Sequence, residues 1–314
     1  MTNDLTINEF SSGILLLDKA YGESSHYQLE RVKRLLKIKK VGHTGTLDPM
    51  ATGMLPLCLG DSTKYAHYFL ILDKVYVVEA TLGVTTTTAD AEGDIVTQKK
   101  PDCYTEKVLS SSCQHFVGVI NQVPPMYSAV KVNGKPLYKL AREGKVIERK
   151  PRQVTVKSID ILQYRDDKLI MRVACSKGTY IRTLVEDIGE HLGCGAFVSE
   201  LRRISVGVFN QSDMISLNEL RKHVESNQYQ FIRDMVLPID SALEHYSSYT
   251  CNRNEIVALF RGQCFKVSAD CVSGLVRVYY NDQFVGMAEV SSGHTLKAKR
   301  LINCDRIESL SYSD

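Results

Sequence analysis

The pattern of apolar and polar positions along this chain separates predicted strands from predicted helices. Residues 13–19 are a short apolar run between a glycine and charged residues, and residues 74–83 are rich in β-branched side chains, so both predict strands. Residues 26–38 have a helical period, with basic residues on one face and apolar residues on the other, at Leu29, Val32, Leu35 and Leu36. An amphipathic helix is therefore predicted between the two strands.

The middle of the chain predicts more strands and helices in mixed order. Residues 153–163 and 168–175 predict an antiparallel pair of strands around a polar turn at residues 165–167. Helical patterns cover residues 62–69, residues 105–116 and a segment that ends near Gly193, for which Thr179 is the expected N-cap and Tyr180 and Arg182 the first turn. This mixture predicts an α+β fold with a mixed, mainly antiparallel sheet.

The last part of the chain has its own pattern. Residues 246–252 are polar and follow the last helical pattern, so we divide the chain into domains over residues 1–249 and 250–314. Residues 274–280 and 284–290 then predict short strands, followed by a basic segment at residues 297–300. A small β-barrel is expected. It carries eight basic and seven acidic side chains, so its bulk charge does not indicate nucleic-acid binding.

Composition narrows the class of protein without fixing its activity. The 314 residues are 44% hydrophobic and 24% charged, which is ordinary for a globular protein with a good core. No apolar run has the length of a membrane span, and the polar start lacks the layout of a secretory signal. The nine cysteines form no Cys-x-x-Cys pair and no evident metal-ligand cluster with the histidines. We expect a cytoplasmic protein with reduced cysteines, no metal and no membrane partner.

The distribution of charged residues along the chain is more informative than the net charge of +3. Residues 26–40 contain six basic residues and one acid, and residues 131–152 contain eight basic residues and two acids. Either cluster alone is compatible with a solvated surface. Two clusters in one chain favour a surface that binds phosphates.

The stretch from residue 41 to residue 60 is the most unusual of the chain. It has four glycines, one histidine and one acid, Asp48, and we expect its first half to be a shaped loop that no regular helix or strand crosses. Asp48 has few local cations, so its carboxylate needs a distant partner. On residue types alone, the Asp48-Pro49 step is most simply a turn.

The letters of this stretch point further, because HTGTLDPMATGMLPLCLG resembles the aspartate motif of the TruB-type tRNA pseudouridine synthases. Further segments resemble motifs of this family in order and spacing, so the resemblance covers nearly the whole chain. Ala20 departs from a common proline and Thr87 from a common aspartate, whereas Asp90 matches. The resemblance implies a pseudouridine synthase catalytic domain followed by a PUA-like barrel. The other matching segments are residues 18–25, 85–94, 122–131, 177–182 and 195–203.

The resemblance also implies roles for particular residues. Asp48 is the expected catalytic carboxylate, and Arg182 is its expected counter-ion, which should depress the pKa of Asp48. Whether Asp48 attacks C1′, attacks C6 or removes a sugar proton stays open. No cofactor is expected. The resemblance implies four substrate-binding residues. Tyr76 is expected against the base and Leu201 in the uracil pocket. His43 is expected to fill the space left by the base, and Tyr180, two positions before Arg182, is the fourth.

The implied reaction is the isomerisation of uridine 55 in the T-arm loop of tRNA to pseudouridine, with the target base flipped out of its stack. We expect a monomer that binds tRNA and not DNA. One rival is a non-catalytic RNA-binding protein or tRNA-folding chaperone of the same fold. Another is a synthase that acts on ribosomal or guided RNA. A nucleotide-binding enzyme is disfavoured because neither G-x-x-x-x-G-K-[ST] nor G-x-G-x-x-G occurs.

Overall fold

A computed structural model describes residues 12–132 and 134–303 of the chain. The N-terminal segment considered above for a secretory signal, residues 1–10, and Cys304 lie outside these residues. The described chain contains a large sheet with helices over residues 12–243 and a five-stranded sheet with one helix over residues 247–301. The predicted α+β class, with mixed and mainly antiparallel strands, is confirmed.

Strands of the first part form one eleven-stranded sheet and two short hairpins. Its core follows the order β1-β3-β12-β4-β11-β10-β7, in which only the β3–β12 pair is parallel. The strands are β1 Ser12–Lys19, β2 Val41–His43, β3 Thr52–Gly60, β4 Lys74–Leu82, β5 Val84–Thr86, β6 Ile95–Gln98, β7 Gly118–Gln122, β8 Lys131–Val132, β9 Lys135–Pro136, β10 Arg152–Arg165, β11 Lys168–Cys175, β12 Ala196–Val206, β13 Phe209–Asn210, β14 Ile215–Ser216 and β15 Val236–Leu237.

The first, second, third and fifth helices of this part lie close to the predicted segments. Ser24 caps the first helix by accepting a hydrogen bond from the Tyr27 N–H, and Thr105 caps the third in the same way through Val108. A 3₁₀ turn over Asp61–Tyr65 precedes the second helix. The helices are α1 Ser25–Leu35, α2 Ala66–Leu70, α3 Glu106–Gln114, α4 Leu137–Arg142, α5 Ile181–His191, α6 Leu217–Glu225 and α7 Tyr229–Asp234.

Two local predictions were wrong. The Thr179 hydroxyl does not cap α5 but donates to the Ser176 carbonyl at 3.0 Å, and Tyr180 occupies the cap position without a side-chain cap bond. Arg182 does lie in the first turn, as predicted. The start of the glycine-rich stretch is also more regular than expected, because β2 pairs with β3. The loop proper is residues 44–51, where backbone pairing stops and the side chain of Asp48 is presented.

At β1 the sheet is apolar on both faces because elements cover it on both sides. Leu15 and Leu17 of β1 are buried against α1 and α6, while Ile14 and Leu16 are buried against the segment that holds Tyr65. A continuous apolar run is the pattern expected of such a doubly covered strand. A third cluster packs α5 onto β4, β11 and β12, the strands that carry the pocket described below.

The C-terminal part is a curled five-stranded sheet, a half-barrel consistent with the PUA-like prediction. Its order is β16-β18-β19-β20-β17. The first strand, β16 Ser247–Thr250, contains the predicted boundary between residues 249 and 250 and pairs in parallel with β18. The remaining elements are α8 Arg253–Phe260, β17 Phe265–Lys266, β18 Gly274–Tyr280, β19 Gln283–Val290 and β20 Thr295–Leu301.

The two parts are packed together through apolar side chains. Met287 of the C-terminal sheet is fully buried in the cluster that contains Tyr65 and Phe69, and the Tyr65 hydroxyl donates to the Arg300 carbonyl at 3.1 Å. Because of this buried contact, a cut near residue 250 would expose core side chains and separate β16 from β18. Among the described residues, no helix combines the length and apolar character needed to cross a bilayer.

The junction of β3 with β12 gives a testable stability prediction. Gly53 has φ +95°, and a Cβ there would lie 2.2 Å from the Arg203 carbonyl oxygen. Gly118 is a matched control, with φ +111° and open space around the added carbon. Gly118→Ala should cost about 1–3 kcal/mol through backbone strain alone. Gly53→Ala should cost about 1–3 kcal/mol more through the steric clash. Urea unfolding measures both, and equal losses would contradict the close approach.

Candidate active site

Asp48 lies at the tip of the loop over residues 44–51, and the loop is anchored on both sides of it. The Ser25 hydroxyl at the start of α1 accepts from the Leu47 N–H and is close enough to donate to the Leu47 carbonyl, both at 2.9 Å. On the other side, the Lys19 ammonium donates to the carbonyls of Pro49 at 3.0 Å and Ala51 at 2.7 Å. Hydrogen bonds to the backbone of the residues on either side therefore hold Asp48 in one position.

Lys19 was not predicted as a site residue. It is fully buried at the end of β1, and burial lowers its pKa to about 8, against the opposing effect of the nearby Asp48 carboxylate. A signal did exist in the sequence, because Lys19 has the same parity along the strand as Leu15 and Leu17. Period 2 alone would have placed this lysine on a buried face.

Arg182 binds two carboxylates at once. Its Nε donates to Asp48 Oδ2 at 3.0 Å and its Nη1 to Asp90 Oδ2 at 3.1 Å. It also donates to the carbonyls of Thr88 at 3.2 Å and Tyr127 at 2.7 Å. The side chains of Arg182 and Asp90 are 4% and 3% exposed, while that of Asp48 is 36% exposed. The predicted Asp48–Arg182 pair is present, with Asp48 as its open end.

The second carboxylate was missed as a site residue, although Asp90 matched a family motif. Asp90 also binds its own turn, where Oδ1 accepts from the Thr88 hydroxyl and from the Glu92 N–H. These bonds fix the carboxylate that faces Arg182. An aspartate in a run of threonines and alanines gives no indication from sequence alone that it pairs with an arginine 92 positions away.

The expected direction of the Asp48 pKa was wrong. Burial raises the pKa of Asp48, and the negative charge of Asp90 raises it further. The charges of Arg182 and Lys19 act in the opposite direction but do not overcome burial. A guanidinium that already serves another carboxylate compensates each one only in part. The ion pair therefore limits the rise and does not produce the predicted depression.

Asp48 opens into a pocket of about 260 Å³. Tyr76 of β4 and Leu201 of β12 form part of its wall, and Tyr180 adjoins it beside Arg182. The two strands are neighbours, and Arg203 stands opposite Tyr76 in the register. Four predicted site residues therefore meet at Asp48, since Tyr76, Tyr180, Arg182 and Leu201 all line this pocket.

Tyr180 is fixed by its backbone. Its N–H donates to Gln122 Oε1 at 3.0 Å, and its carbonyl accepts from Gln122 Nε2 at 3.2 Å. Burial raises the pKa of the Tyr180 hydroxyl and also that of Tyr76, so both are neutral phenols at neutral pH. Such rings offer flat apolar faces with a polar edge.

His43 is the predicted site residue that the pocket does not include. It ends β2, half-buried, and does not line the cavity. Burial lowers the pKa of His43, and the positive charge of Arg203 lowers it further, so the ring is neutral near pH 7. Its Nδ1 is buried and has no hydrogen-bond partner among the residues that the structure describes.

Two further basic residues line the pocket and were not predicted. Arg203 is 1% exposed and Lys74 is 7% exposed. The Arg203 guanidinium donates to the Met54 carbonyl at 2.7 Å and to the Gly45 carbonyl at 3.1 Å. Arg203 thus binds the segment around Asp48 from its place opposite Tyr76 on β12.

The basic clusters lie outside the pocket and are largely solvated. In the first, Arg34, Lys37, Lys39 and Lys40 are exposed near the end of α1. The second belongs to the segment between β7 and β10, which also brings Ser128 and Ala129 to the pocket wall. A polyanion bound to this segment would therefore lie next to the pocket. Its exposed basic residues are Lys131, Lys135, Lys139, Arg142, Lys145, Lys150 and Arg152.

Comparison with protein-family models gives three matches in chain order. Residues 33–181 match the TruB family pseudouridylate synthase N-terminal domain. Residues 182–244 match the tRNA pseudouridylate synthase B C-terminal domain, and residues 252–302 match the pseudouridine synthase II TruB C-terminal model. The first match includes Asp48, Tyr76 and Asp90, and Arg182 begins the second.

Whole-chain relatives agree with these matches. The chain is 45% identical to tRNA pseudouridine synthase B of Stutzerimonas stutzeri strain A1501, over 94% of this chain and 96% of the relative. It is 43% identical to the protein of the same name from Coxiella burnetii strain Dugway 5J108-111, over 92% and 94%.

Solved structures show the same fold. An H/ACA ribonucleoprotein bound to a substrate RNA containing 2′-deoxyuridine has a chain with TM-score 0.72 and 25% identity, covering 94% of this chain and 86% of that chain. A chain of a Cbf5–Nop10–Gar1 complex gives TM-score 0.71 and 26% identity, covering 93% and 84%. With its motifs, its pocket and its relatives in agreement, the chain belongs to the TruB family of pseudouridylate synthases.

Proposed function

We propose that this protein isomerises uridine 55 in the T-arm loop of tRNA to pseudouridine. The observation that carries the proposal is the Asp48 carboxylate, held to Arg182 at 3.0 Å and open to a pocket walled by Tyr76 and Leu201. The relatives named tRNA pseudouridine synthase B support tRNA as the substrate. The position within tRNA follows from the resemblance of the Asp48 motif.

The reaction breaks the N1–C1′ bond of uridine, turns the base and joins C5 to C1′, so atoms are rearranged and none are exchanged except protons. A single carboxylate can serve as nucleophile or as base for such a step. Asp48 is the carboxylate in the pocket that has an exposed edge, with 36% of its side chain accessible. Its neighbour Asp90 is closed off behind Arg182. We therefore assign the reacting role to Asp48 and a supporting role to Asp90.

Burial and Asp90 both favour protonation of Asp48, so Arg182 has a specific task. Its positive charge limits the rise of the Asp48 pKa and keeps the reactive carboxylate available near neutral pH. Its four contacts also fix the direction of the guanidinium.

The base is proposed to lie against Tyr76, with Leu201 and Tyr180 on other sides of the pocket. A pocket of about 260 Å³ buries a flat base more readily than a whole nucleotide. The nucleotide must leave its stack to enter, because C1′ and C5 are not accessible inside folded RNA. His43 is proposed to fill the space that the base leaves, from its place just outside the pocket.

The exposed basic clusters are proposed to bind phosphates of the T-arm, which places a folded RNA loop over the pocket. We propose that the reaction uses no cofactor and no metal. We also propose that the protein is cytoplasmic, is a monomer and does not bind DNA. All of these points stay predictions.

Two rivals make different predictions. A non-catalytic RNA-binding protein would have no need for a buried guanidinium shared by two carboxylates, which is costly to desolvate. A synthase for ribosomal or guided RNA would share the pocket, and it differs only in the RNA that it modifies. Mapping the modified position therefore separates all three.

The first prediction concerns the modified position. Purified protein incubated with an unmodified tRNA transcript should form pseudouridine at position 55. Asp48→Asn should bind the same tRNA with little change but lose about 10⁴-fold in rate, because the amide is neither nucleophile nor base. Nucleoside mapping by mass spectrometry and a filter-binding assay measure the two effects.

A transcript with uridine 55 replaced by cytidine is the control for position. Modification elsewhere in tRNA, or only in ribosomal RNA, would contradict the proposed substrate. Substantial turnover by Asp48→Asn, free of wild-type protein, would remove Asp48 from the chemistry.

The second prediction concerns pH. Activity requires ionised Asp48, whose pKa is raised, so the rate should fall with decreasing pH earlier than it would for an ordinary aspartate. Arg182→Ala removes a charge that lowers this pKa and should move the acidic limb of the rate profile to higher pH, with a plateau at least about 10²-fold lower. The rate profile of Arg182→Lys should lie between those of the wild type and Arg182→Ala.

Single-turnover rates against pH on one stem-loop RNA measure this shift, with folding checked at each pH by circular dichroism. If Arg182→Ala is slower by one constant factor across a resolved acidic limb, Arg182 positions the loop or the RNA and does not control the charge of Asp48.

A further inference from the structure

The pocket has two kinds of wall, and their charges differ in sign. A loop and the start of α5 bring Asp48 and Arg182, with Asp90 behind them, so two carboxylates share one guanidinium. The sheet brings Lys74, Tyr76 and Arg203, which we call the sheet wall. Lys74 and Tyr76 are two positions apart on β4, where every second side chain is buried, and Arg203 is opposite Tyr76 on β12.

The positive charge of Arg203 is compensated by dipoles and not by an anion. Its guanidinium donates to two backbone carbonyls, and it stands opposite Tyr76 in the register. Within the described part of the chain, it has no carboxylate partner. Its charge also lowers the pKa values of Lys19, His43 and Lys74, and of these three residues Lys74 lines the pocket.

Lys74 repeats this arrangement at the same wall. Its ammonium donates to the carbonyls of Leu70 and Leu72 at the end of α2. An ammonium has three N–H donors, so one is left for the pocket side. Burial lowers the pKa of Lys74 to about 8, with Arg203 and Lys177 acting in the same direction and Cys175 and Asp73 against it. Asp73 itself pairs with Lys157. In the ranges described, Lys74 has no ion-pair partner.

Two buried cations next to one another are unfavourable in an empty pocket, because desolvation and mutual repulsion act together. Capping of α2 accounts for Lys74 alone, and anchoring of the Asp48 loop accounts for Arg203 alone. Neither accounts for both cations sharing the wall that carries Tyr76. An arrangement of this kind is suited to a ligand that becomes negative at the wall.

The reaction supplies such a ligand. When the N1–C1′ bond breaks, its electron pair stays with the uracil ring, and C1′ becomes electron-poor towards Asp48. The ring later donates a pair from C5 to C1′, loses the C5 proton and gains one at N1, so charge returns to zero and nothing is oxidised. If the base lies against Tyr76, this negative charge develops on the uracil ring next to the sheet wall.

We propose that Arg203 and Lys74 stabilise the negative charge that the uracil ring carries after its N1–C1′ bond breaks and before its C5–C1′ bond forms. Lys74 acts through its free N–H and its charge. Arg203 acts through its charge, from its place opposite Tyr76 on β12. The inference rests on the proposed function, and it divides the pocket into an anionic part for the sugar and a cationic part for the base.

The test compares uridine with 5-fluorouridine at the target position of one stem-loop RNA. Fluorine withdraws electrons and makes the departing ring a better anion, so it needs less help from the sheet wall. It also replaces the hydrogen that leaves C5. Conversion of the N-linked to the C-linked nucleoside is therefore followed by chromatography and mass spectrometry after nuclease digestion. Rates are measured in single turnover with saturating enzyme.

Arg203→Met should lose at least about 10²-fold on uridine, and Lys74→Met at least about tenfold. On the fluorinated RNA both losses should be smaller by several-fold. Lys74→Arg should restore most of the loss, because it keeps the charge. The ratio of the rates on the two RNAs, measured with one protein preparation, does not depend on the fraction of protein that is folded. If Arg203→Met does not fold, Lys74→Met decides.

Lys168→Met is the matched control. Lys168 begins β11, at the end of the β4–β11 pair that is opposite to Lys74. It pairs with Glu79 and is 42% exposed. Its removal therefore changes the net charge equally without touching the pocket. It should keep wild-type rates on both RNAs. Wild-type turnover of the uridine RNA establishes the proposed function independently of the variants. Variants that lose equal factors on uridine and 5-fluorouridine, or that lose nothing on uridine, would overturn the charge assignment.

Discussion

One guanidinium shared between two carboxylates is the interaction on which this site depends. Arg182 reaches Asp48 and Asp90 from the first turn of α5, and it is almost completely buried. Removing one partner of such a group leaves an uncompensated charge, which is far more costly than losing a surface ion pair. Because Asp90 competes for the same guanidinium, Asp48 is only partly neutralised. The result is a carboxylate that is held in place and yet remains reactive.

The fold supports this group through backbone carbonyls. Lys19 and Arg203 each donate to carbonyls of the segment around Asp48, and Lys74 does the same at the end of α2. Buried cations that bind carbonyls fix a glycine-rich loop without neutralising its carboxylate. Two of these cations, Lys74 and Arg203, also line the pocket and carry positive charge there. The same side chains therefore provide structural support and electrostatics.

Sequence patterns predicted what depends on local order. An apolar run predicted β1, β-branched content predicted β4 and a helical period predicted α1. Strand patterns around a polar turn predicted the β10–β11 pair, and motif letters predicted the Asp48–Arg182 pair. What failed depends on tertiary environment. The sign of the Asp48 pKa shift needs burial and the place of Asp90, neither of which is visible in the letters. Buried lysines and arginines were missed because charged residues are normally exposed, and only strand parity at Lys19 contradicted that rule.

The charge state of Asp48 can be measured directly in the free protein. Carbon-13 NMR of selectively labelled aspartate carboxyl groups, with Asp48→Asn for assignment, gives the titration of this one side chain. We expect its pKa in the wild type to lie above the ordinary aspartate value of about 3.9. We expect a lower pKa of Asp48 in Asp90→Asn, where the competing charge is removed. A wild-type pKa at or below about 3.9, or one that Asp90→Asn leaves unchanged, would contradict the shared-guanidinium account.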